Sequence, residues 1–276
     1  MLNILLLALM AIGVGFLGAL TGLGGASILV PILVLFGIPV KEAIASGMVA
    51  IIATSSGSAA SFVKAHIANI KVGMYLEMFT ILGAIAGATI TTYIHATYLY
   101  FFFAAFLLTS FLKFRESMSK DFIPATHQDR VSRWLGLHSS YYDQAKKETV
   151  EYKVTNAIPG GLGMLAAGLA SGMLGIGAGA FKVTVHEYVL KMPPKVSSTT
   201  SSFVIGITAL AGVSVYLFSG LLNLTLMAPM AIGTTIGAII GGRVLNRLNN
   251  RTLRILFFII ITYLIAQMLY KGFVAL

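Results

Sequence analysis

Residues 15 to 31 read GFLGALTGLGGASILVP, and residues 168 to 184 read GLASGMLGIGAGAFKVT. These two glycine-rich apolar segments align without a gap. Beyond them the match continues with one added residue in the second copy, through the pairs Pro39 and Pro193, Lys41 and Lys195, Thr54 and Thr208, Asn69 and Asn223, and Thr80 and Thr234. The chain therefore contains one apolar unit twice, and such a repeat decides the fold before any local pattern does.

The composition is that of an integral membrane protein. Hydrophobic residues make up 57% of the 276 residues, charged residues 10%, and the mean hydropathy is +0.90. Soluble proteins carry roughly 25% charged residues. Because backbone groups in lipid must be hydrogen-bonded internally, and the long apolar runs lack strand-like alternation, the sequence predicts an all-α membrane protein.

The net charge of +10 does not indicate a nucleic-acid partner, because the basic residues lie at the ends of apolar segments. Cysteine is absent, which excludes disulfides and thiolate metal sites. We expect no metal and no cofactor. The apolar N-terminus resembles a signal peptide, but its relative recurs in mid-chain, so we interpret it as a retained membrane segment.

Residues 2 to 37 carry no charge and would span about 54 Å as one helix, against a hydrocarbon core of about 30 Å. We expect this segment to break at the glycines of residues 22 to 25, and its copy, 158 to 190, at residues 175 to 179. Further spans are predicted at about 42 to 66, 72 to 94 and 97 to 114, and at about 196 to 219, 225 to 245 and 252 to 270.

Three regions follow from this pattern. Residues 1 to 114 form the first transmembrane repeat, and residues 157 to 276 form the second. Between them, residues 115 to 156 are the only long polar stretch. We predict that this stretch is a cytoplasmic connector with short amphipathic helices at the membrane surface.

The basic residues also predict how the repeats are threaded. The connector, the turn from Lys64 to Lys71 and the arginines at 243, 247, 251 and 254 belong on the cytoplasmic side. This requires an odd number of crossings per repeat. It is met if each glycine-broken segment is a hairpin that enters and returns on one side, followed by three spans. The two repeats are then inverted, with their hairpin tips meeting near mid-depth.

Each glycine tip is a candidate anion site. The amides that begin the second limb are unpaired and carry the positive end of the helix dipole. Glycine lets a ligand approach the backbone, and discontinuous membrane helices hold anions in this way. The alternative is that the glycines serve only close helix packing. The candidate tip residues are Gly22, Gly24, Gly25, Gly175, Gly177 and Gly179.

Lys182 lies seven residues after Gly175 in an apolar stretch, and ionisable groups at membrane depth usually face a cavity or a partner. Alternatively, it extends to the surface or is neutralised by Glu187. His186, one turn further, is a candidate for ion coupling, with an interfacial role as the alternative. Glu77 is a second coupling candidate, since a buried carboxyl can hold a proton, although it too could be solvated at the interface.

Hydroxyl residues cluster at equivalent places in the two halves and could line an anion path. The candidates are Thr54, Ser55, Thr200, Ser201 and Thr208. The alternative for each is a hydrogen bond to its own helix backbone. Gly83, Gly87, Gly233, Gly237 and Gly241, at four-residue spacings within each half, are assigned to helix packing.

The motifs GLGGASILVP (22 to 31), GIGAGAFKV (175 to 183) and PPKVSSTTSSFVIGITA (193 to 209) resemble the sulfite exporter TauE/SafE family, also called TSUP. The resemblance covers both repeats. It implies secondary transport of small anions, often sulfur oxyanions or organosulfonates. The family's second loop is usually nearer GIGGG and its next limb often reads KVP. This chain has Ala178 and Thr184 at those places.

The sequence thus predicts a multi-pass transporter of the cell membrane whose partners are a small anion and the lipid bilayer, with possible homo-oligomers. We expect alternating access, with proton coupling as a hypothesis. A passive anion channel with a glycine-lined filter is the alternative. The sequence has neither a GxxxxGK[ST] phosphate loop nor an HExxH motif, which disfavours an ATP-driven pump and an enzyme.

Overall fold

The computed structural model describes residues 4–21, 25–64, 67–117, 125, 127–143, 147–245, 262–263 and 265–274. Within these ranges the protein is predominantly helical, which confirms the predicted class. Several predicted features lie outside the described residues: Gly22, Gly24, and the arginines at 247, 251 and 254.

Helices of the first half are α1 (Ile4–Thr21), α2 (Ala26–Leu35), α3 (Val40–Lys64), α4 (Ile70–Tyr93) and α5 (Ala96–Ser117). Helices of the second half are α7 (Ala157–Leu174), α8 (Gly179–Thr184), α9 (Pro194–Phe218), α10 (Leu224–Leu245) and α11 (265–274). A π-helical turn, Val185–Val189, continues α8.

Four helical stretches in the described part of the chain are long and apolar enough to cross a membrane. They are Ile70–Tyr93, Ala157–Leu174, Pro194–Phe218 and Leu224–Gly241. Shorter apolar stretches occur at Leu5–Ala19, Ala26–Leu35 and Ala96–Thr109. Together they form a multi-pass helical membrane protein.

Both overlong apolar segments break at their glycines, as predicted. The first helix ends at Thr21 and the next begins at Ala26. In the second half α7 ends at Leu174, and α8 then runs back beside it, since Gly163 packs on Val185 and Gly160 on Leu190. The second segment is therefore a hairpin with its tip between residues 174 and 179.

Glycines hold the two halves together through matching contacts. A methyl group at Gly83 would overlap the carbonyl of Leu165 in α7, and one at Gly237 would overlap the carbonyl of Ile12 in α1. Leu165 and Ile12 are themselves equivalent in the repeat, so α4 and α10, the second of the three spans in each half, each pack on the first helix of the other half. These contacts confirm the packing role predicted for the glycines of α4 and α10.

The order of contacts along the chain gives the helix directions. In the pairing of α3 with α9, Met48 lies by Gly212 whereas Ser55 lies by Gly206, so these helices are antiparallel. By the same reasoning α4 runs parallel to α7, because Gly83 lies by Leu165 and Gly87 by Leu169. The repeat-equivalent helices α3 and α9 thus run in opposite directions. The side of the membrane that each end faces stays a prediction.

The connector differs from the predicted amphipathic helices. Its described residues form a short helix, α6 (Arg130–Trp134), and an antiparallel hairpin of β1 (Ser139–Asp143) and β2 (Glu148–Tyr152). The hairpin forms because Tyr141, Val150 and Tyr152 alternate with polar residues, a pattern with the period of a strand. Tyr141 and Tyr152 are buried with residues of α4, α7 and α9 in one apolar cluster, so the hairpin covers that end of the bundle.

Candidate functional site

The tip of the second hairpin is buried in the middle of the protein. Residues 171 to 179 are all buried. Gly175 packs so closely on the backbone of Ile44 that no side chain fits there, and a methyl group at Gly177 would meet Ile205 and Ile51. Ile51 and Ile205 are central in α3 and α9, and Ile44 lies near the start of α3, so the tip inserts between two antiparallel helices. Close packing, the alternative for the tip glycines, is therefore present at both positions.

The two hairpins approach each other at Gly47 of α3. A methyl group at Gly47 would lie 3.0 Å from the carbonyl oxygen of Gly175 and 3.6 Å from Cβ of Ala26. Ala26 is the first residue of α2, directly after the first tip, and Gly175 opens the second tip. The described ends of both breaks thus lie against one turn of α3.

Left-handed backbone conformations turn the chain at both tips. Gly25 has φ 68°, Gly175 φ 63° and Gly177 φ 70°. Ala178 also has a positive φ, 49°, although its Cβ disfavours this region, so the alanine at this place in the loop is accommodated with strain. Within the described residues, no side chain caps the start of α2 or of α8, at Gly179. The amides that open these limbs are left to the backbone or to a ligand.

Lys182 of α8 is completely buried and lies beside α4 and α9. Its ammonium donates a hydrogen bond to Thr208 Oγ1 and forms an ion pair with Glu77, with Nζ 3.8 Å from Oε2. Both alternatives for Lys182 are therefore wrong, since its side chain does not reach the surface and its acidic partner is Glu77 rather than Glu187. The pair joins the two halves of the chain.

Glu77 is 1% exposed, so it is not solvated at an interface. Oε1 accepts a hydrogen bond from Thr208 Oγ1 at 2.5 Å, and Oε2 accepts one from Thr80 Oγ1 at 2.7 Å. The parallel packing of α4 on α9 sets this geometry. Asn69 and Thr200 lie eight residues, or about two turns, before Glu77 and Thr208. There the backbone N–H of Asn69 donates to Thr200 Oγ1 at 2.9 Å, so the two helices keep one register.

His186 lies in the π-helical turn and is also completely buried, which overturns the interfacial alternative. Its Nδ1 is 3.3 Å from the carbonyl oxygen of Ser197. Its Nε2 has no hydrogen-bond partner among the described residues. Single π turns inside α-helices often occur at functional sites. This one follows Thr184, the position without the family's proline.

The remaining hydroxyls divide between the two expected roles. Thr54 donates to Ala50 O of its own helix at 2.7 Å. By contrast, Ser55 donates across to Ser202 O at 2.8 Å, and Ser201 Oγ reaches Gly179 O at the hairpin tip at 3.4 Å. Thr208 does both, since it also lies 3.2 Å from Val204 O. The second half therefore has hydroxyls at the tip and around the ion pair.

Sequence reasoning missed three residues of this region as site residues. Thr80 hydrogen-bonds to Glu77, and Asn69 caps α4 through Val72 N at 3.1 Å while its Nδ2 donates to Tyr152 OH at 2.9 Å. Asn69 and Thr80 both recur in the repeat, which was the available signal. Burial raises the pKa of Tyr152, so its phenol stays neutral and accepts the Asn69 bond.

Comparison with known proteins adds an independent finding. The model of the family described as sulfite exporter TauE/SafE matches residues 7–268. Probable membrane transporter protein YunE of Bacillus subtilis (strain 168) is 22% identical over 280 residues, covering 98% of this chain and 99% of that protein. Probable membrane transporter protein YdhB of the same strain is 27% identical over 247 residues, covering 89% and 90%. No solved structure matches the chain.

Proposed function

Because the chain belongs to the sulfite exporter TauE/SafE family of membrane transporters, we propose that it is a secondary transporter that moves a small sulfur oxyanion or organosulfonate by alternating access. Membership confirms the resemblance drawn from the glycine motifs. It also agrees with the expectation of a transporter rather than an enzyme, since both relatives are named as transporters. Sulfite, thiosulfate and sulfoacetate are the substrate types that we propose.

The observation that carries the proposal is the position of Lys182. Its ammonium is completely buried between the two halves, seven residues past the second glycine tip. Glu77, Lys182 and His186 are the buried acidic, basic and histidine side chains of the described ranges, so Lys182 supplies the buried positive charge. A sulfonate or sulfite oxygen can accept hydrogen bonds from such an ammonium. Ionisable groups at this depth usually mark a substrate or ion pathway.

The hairpin tips complete the proposed site. The amides at the start of α8 carry the positive end of a helix dipole, and Ser201 and Thr208 offer hydroxyls within the same region. Together these groups would bind an oxyanion with one full positive charge and several neutral donors. Partial neutralisation suits a carrier, because the anion must also leave. Gly22 and Gly24 lie outside the described residues, and their part in the site stays a prediction from the sequence.

The burial of the side chains in the proposed site favours alternating access over a channel. Lys182, Thr208 and Glu77 are each at most 1% exposed, so an anion reaches Lys182 only after the surrounding helices move. At the glycine contacts between the halves, helices meet backbone to backbone without interlocking side chains. Such contacts allow the helices of one half to move against those of the other. The ion pair that joins the halves would open and re-form during each cycle.

The proposal is tested by stability and flux measurements on the purified chain. Sulfite, thiosulfate, sulfate and sulfoacetate are compared, with zwitterionic taurine as the neutral reference. A bound anion raises the melting temperature by mass action. In liposomes we expect saturable flux for at least one sulfur anion. Ohmic single-channel currents would instead establish the channel alternative.

Lys182→Ala should weaken binding of that anion about tenfold or more, because a hydrogen bond to a charged group contributes about 1.5–3 kcal/mol. Lys71→Ala removes an exposed lysine at the start of α4 and serves as the matched control. If the single variant does not fold, Lys182→Met with Glu77→Gln keeps the site neutral. Unchanged affinity in a folded Lys182 variant contradicts the assigned role.

A further inference from the structure

Glu77 already provides the negative charge that balances Lys182, which an incoming anion would also balance. We propose that Glu77 and the transported anion compete for Lys182, so that one proton bound by Glu77 travels with each monovalent anion. This inference rests on the proposed function and adds to it a coupling rule, namely one proton for each anion transported. The pair is not duplicated, since the repeat-equivalent positions hold the apolar residues Leu29 and Ala231.

The ammonium of Lys182 has unused capacity for hydrogen bonding. It has three donors, and Thr208 Oγ1 is its hydrogen-bond partner within the described residues. The distance of 3.8 Å to Glu77 Oε2 is that of an ion pair without a direct hydrogen bond. An oxyanion approaching Lys182 can therefore accept hydrogen bonds from the ammonium N–H groups that Glu77 does not use.

Charge decides what must happen to Glu77 when the anion arrives. With both side chains charged, Glu77 and Lys182 sum to zero. Adding a monovalent anion to this buried pair would leave one net negative charge, with two anionic groups within a few ångströms of each other, and they repel strongly where water is excluded. A proton on Glu77 restores the sum to zero, because Lys182 then pairs with the anion.

The hydrogen bonds around Glu77 permit this change without leaving a buried polar group unpaired. When charged, the carboxylate accepts from Thr208 at 2.5 Å and from Thr80 at 2.7 Å. When protonated, the carboxyl donates to one of these hydroxyl oxygens. The hydrogen of Thr208 can then turn to Val204 O at 3.2 Å, and that of Thr80 to the backbone oxygen of Glu77 at 3.0 Å. Threonine hydroxyls can donate and accept, so both charge states are satisfied.

Other titratable groups near the pair are few. The α7 helix, which packs on α4, has no ionisable side chain. On α9, Lys195 is exposed near the helix start, about 20 Å along the axis from Thr208, and Tyr216 at the other end donates to Gly172 O. Tyr75 of α4 lies 3.3 Å from Ala157 O, away from the pair. Lys71 is exposed at the start of α4, and the π-helical turn after Lys182 holds the completely buried His186 followed by Glu187 and Tyr188. We assign proton transfer towards Glu77 to His186, because it is the buried one and lies one turn after Lys182.

The rule predicts the charge that moves in each cycle. A monovalent anion travels with one proton and no net charge, so its accumulation responds to a pH gradient alone. A divalent anion with one proton still carries one negative charge. Methanesulfonate and sulfoacetate share a sulfonate and differ in this charge, and methanesulfonate does not titrate near neutral pH. They are the probes for the experiment.

The full chain is reconstituted in liposomes with the membrane potential clamped at zero. A pH gradient of one unit, acidic outside, should accumulate methanesulfonate about tenfold, since one proton per anion balances a tenfold concentration ratio. No current should accompany methanesulfonate, whereas sulfoacetate should generate one. In Glu77→Gln the accumulation should disappear and anion affinity should no longer depend on pH. Glu42→Gln, at the first turn of α3, should accumulate like the parent.

Two outcomes overturn the inference. Accumulation that persists in Glu77→Gln shows that another group carries the proton. If that variant does not fold, the test is proton uptake by the parent protein when methanesulfonate binds. We expect about one proton per methanesulfonate bound, and no proton uptake would overturn the proposal. If the parent shows neither binding nor exchange of any sulfur anion, the proposed function itself has failed. Binding without proton uptake defeats the coupling rule alone.

Discussion

Gly83 packs on the carbonyl of Leu165, and its repeat partner Gly237 packs on the carbonyl of Ile12. Glu77 of α4 also forms a buried ion pair with Lys182 of α8, whereas their repeat partners Ala231 and Leu29 are apolar. The two halves thus share backbone packing and differ in buried charge. Packing depends on small residues at fixed spacings, which a duplication preserves, while one charged pair is enough to give the site its chemistry.

The strongest test of this difference is to place a lysine at Leu29, the position in the first half that is equivalent to Lys182. Leu29 is completely buried, so Leu29→Lys introduces an unpaired cation and should destabilise the fold by about 3–5 kcal/mol. Adding Ala231→Glu should recover part of this loss, because Thr54 and Thr234 stand where Thr208 and Thr80 do. Thermal unfolding in detergent measures both.

Leu35→Lys is the control for this substitution, since Leu35 is 40% exposed at the end of α2. It should have little effect on unfolding. If Leu29→Lys is as stable as Leu35→Lys, the first half has a solvated cavity at this position, and the halves differ less than the structure indicates.

The shared packing is tested by Gly83→Ala and Gly237→Ala. Each added methyl would overlap a carbonyl of the neighbouring helix, so each should lower the free energy of unfolding by about 1–3 kcal/mol. Gly13→Ala is matched to them, because a methyl there meets nothing within 4 Å. Thermal melting and the yield of monodisperse protein report the result. A large loss for one glycine with none for the other would show that the two contacts are not equivalent.

The smallest expected contrast is between Asn69 and Asn223, at the starts of α4 and α10. Asn69 caps its helix and donates to Tyr152 of the connector, so Asn69→Ala should cost about 1–2 kcal/mol. Asn223 is exposed and accepts from Thr225 N, so Asn223→Ala should cost about 0.5–1 kcal/mol. Tyr152→Phe isolates the connector bond. Equal losses for both asparagines would mean that the connector does not stabilise the start of α4 in the first half.

Much of the fold was predictable from residue pattern. Apolar length and the glycine clusters predicted where each long segment breaks, because a helix cannot exceed the bilayer without leaving it and glycine leaves a helix at least cost. The connector was predicted less well. The strands of its hairpin are five residues each, and an alternating pattern this short does not stand out from the charged residues around it.

The site was predictable as separate residues but not as a cluster. Lys182 was identified from its depth and Glu77 from its isolation among apolar residues. Their pairing was not anticipated, because they belong to different halves and Glu187 was the nearer acid in sequence. The burial of His186 was missed for a similar reason, since residues of α9 rather than of its own helix surround it.

The sequence by itself determined the all-α membrane class, the two glycine breaks and the family, and it predicted the duplication, since these follow from composition, length and spacing along one chain. Only the tertiary structure decided that Glu77, Thr208 and Lys182 meet. Parallel packing of α4 on α9 fixes one register, and the hairpin then inserts α8 beside them, so groups far apart in the chain become neighbours. Such contacts depend on which helix faces of the two halves come together, and no periodicity within either half encodes that choice.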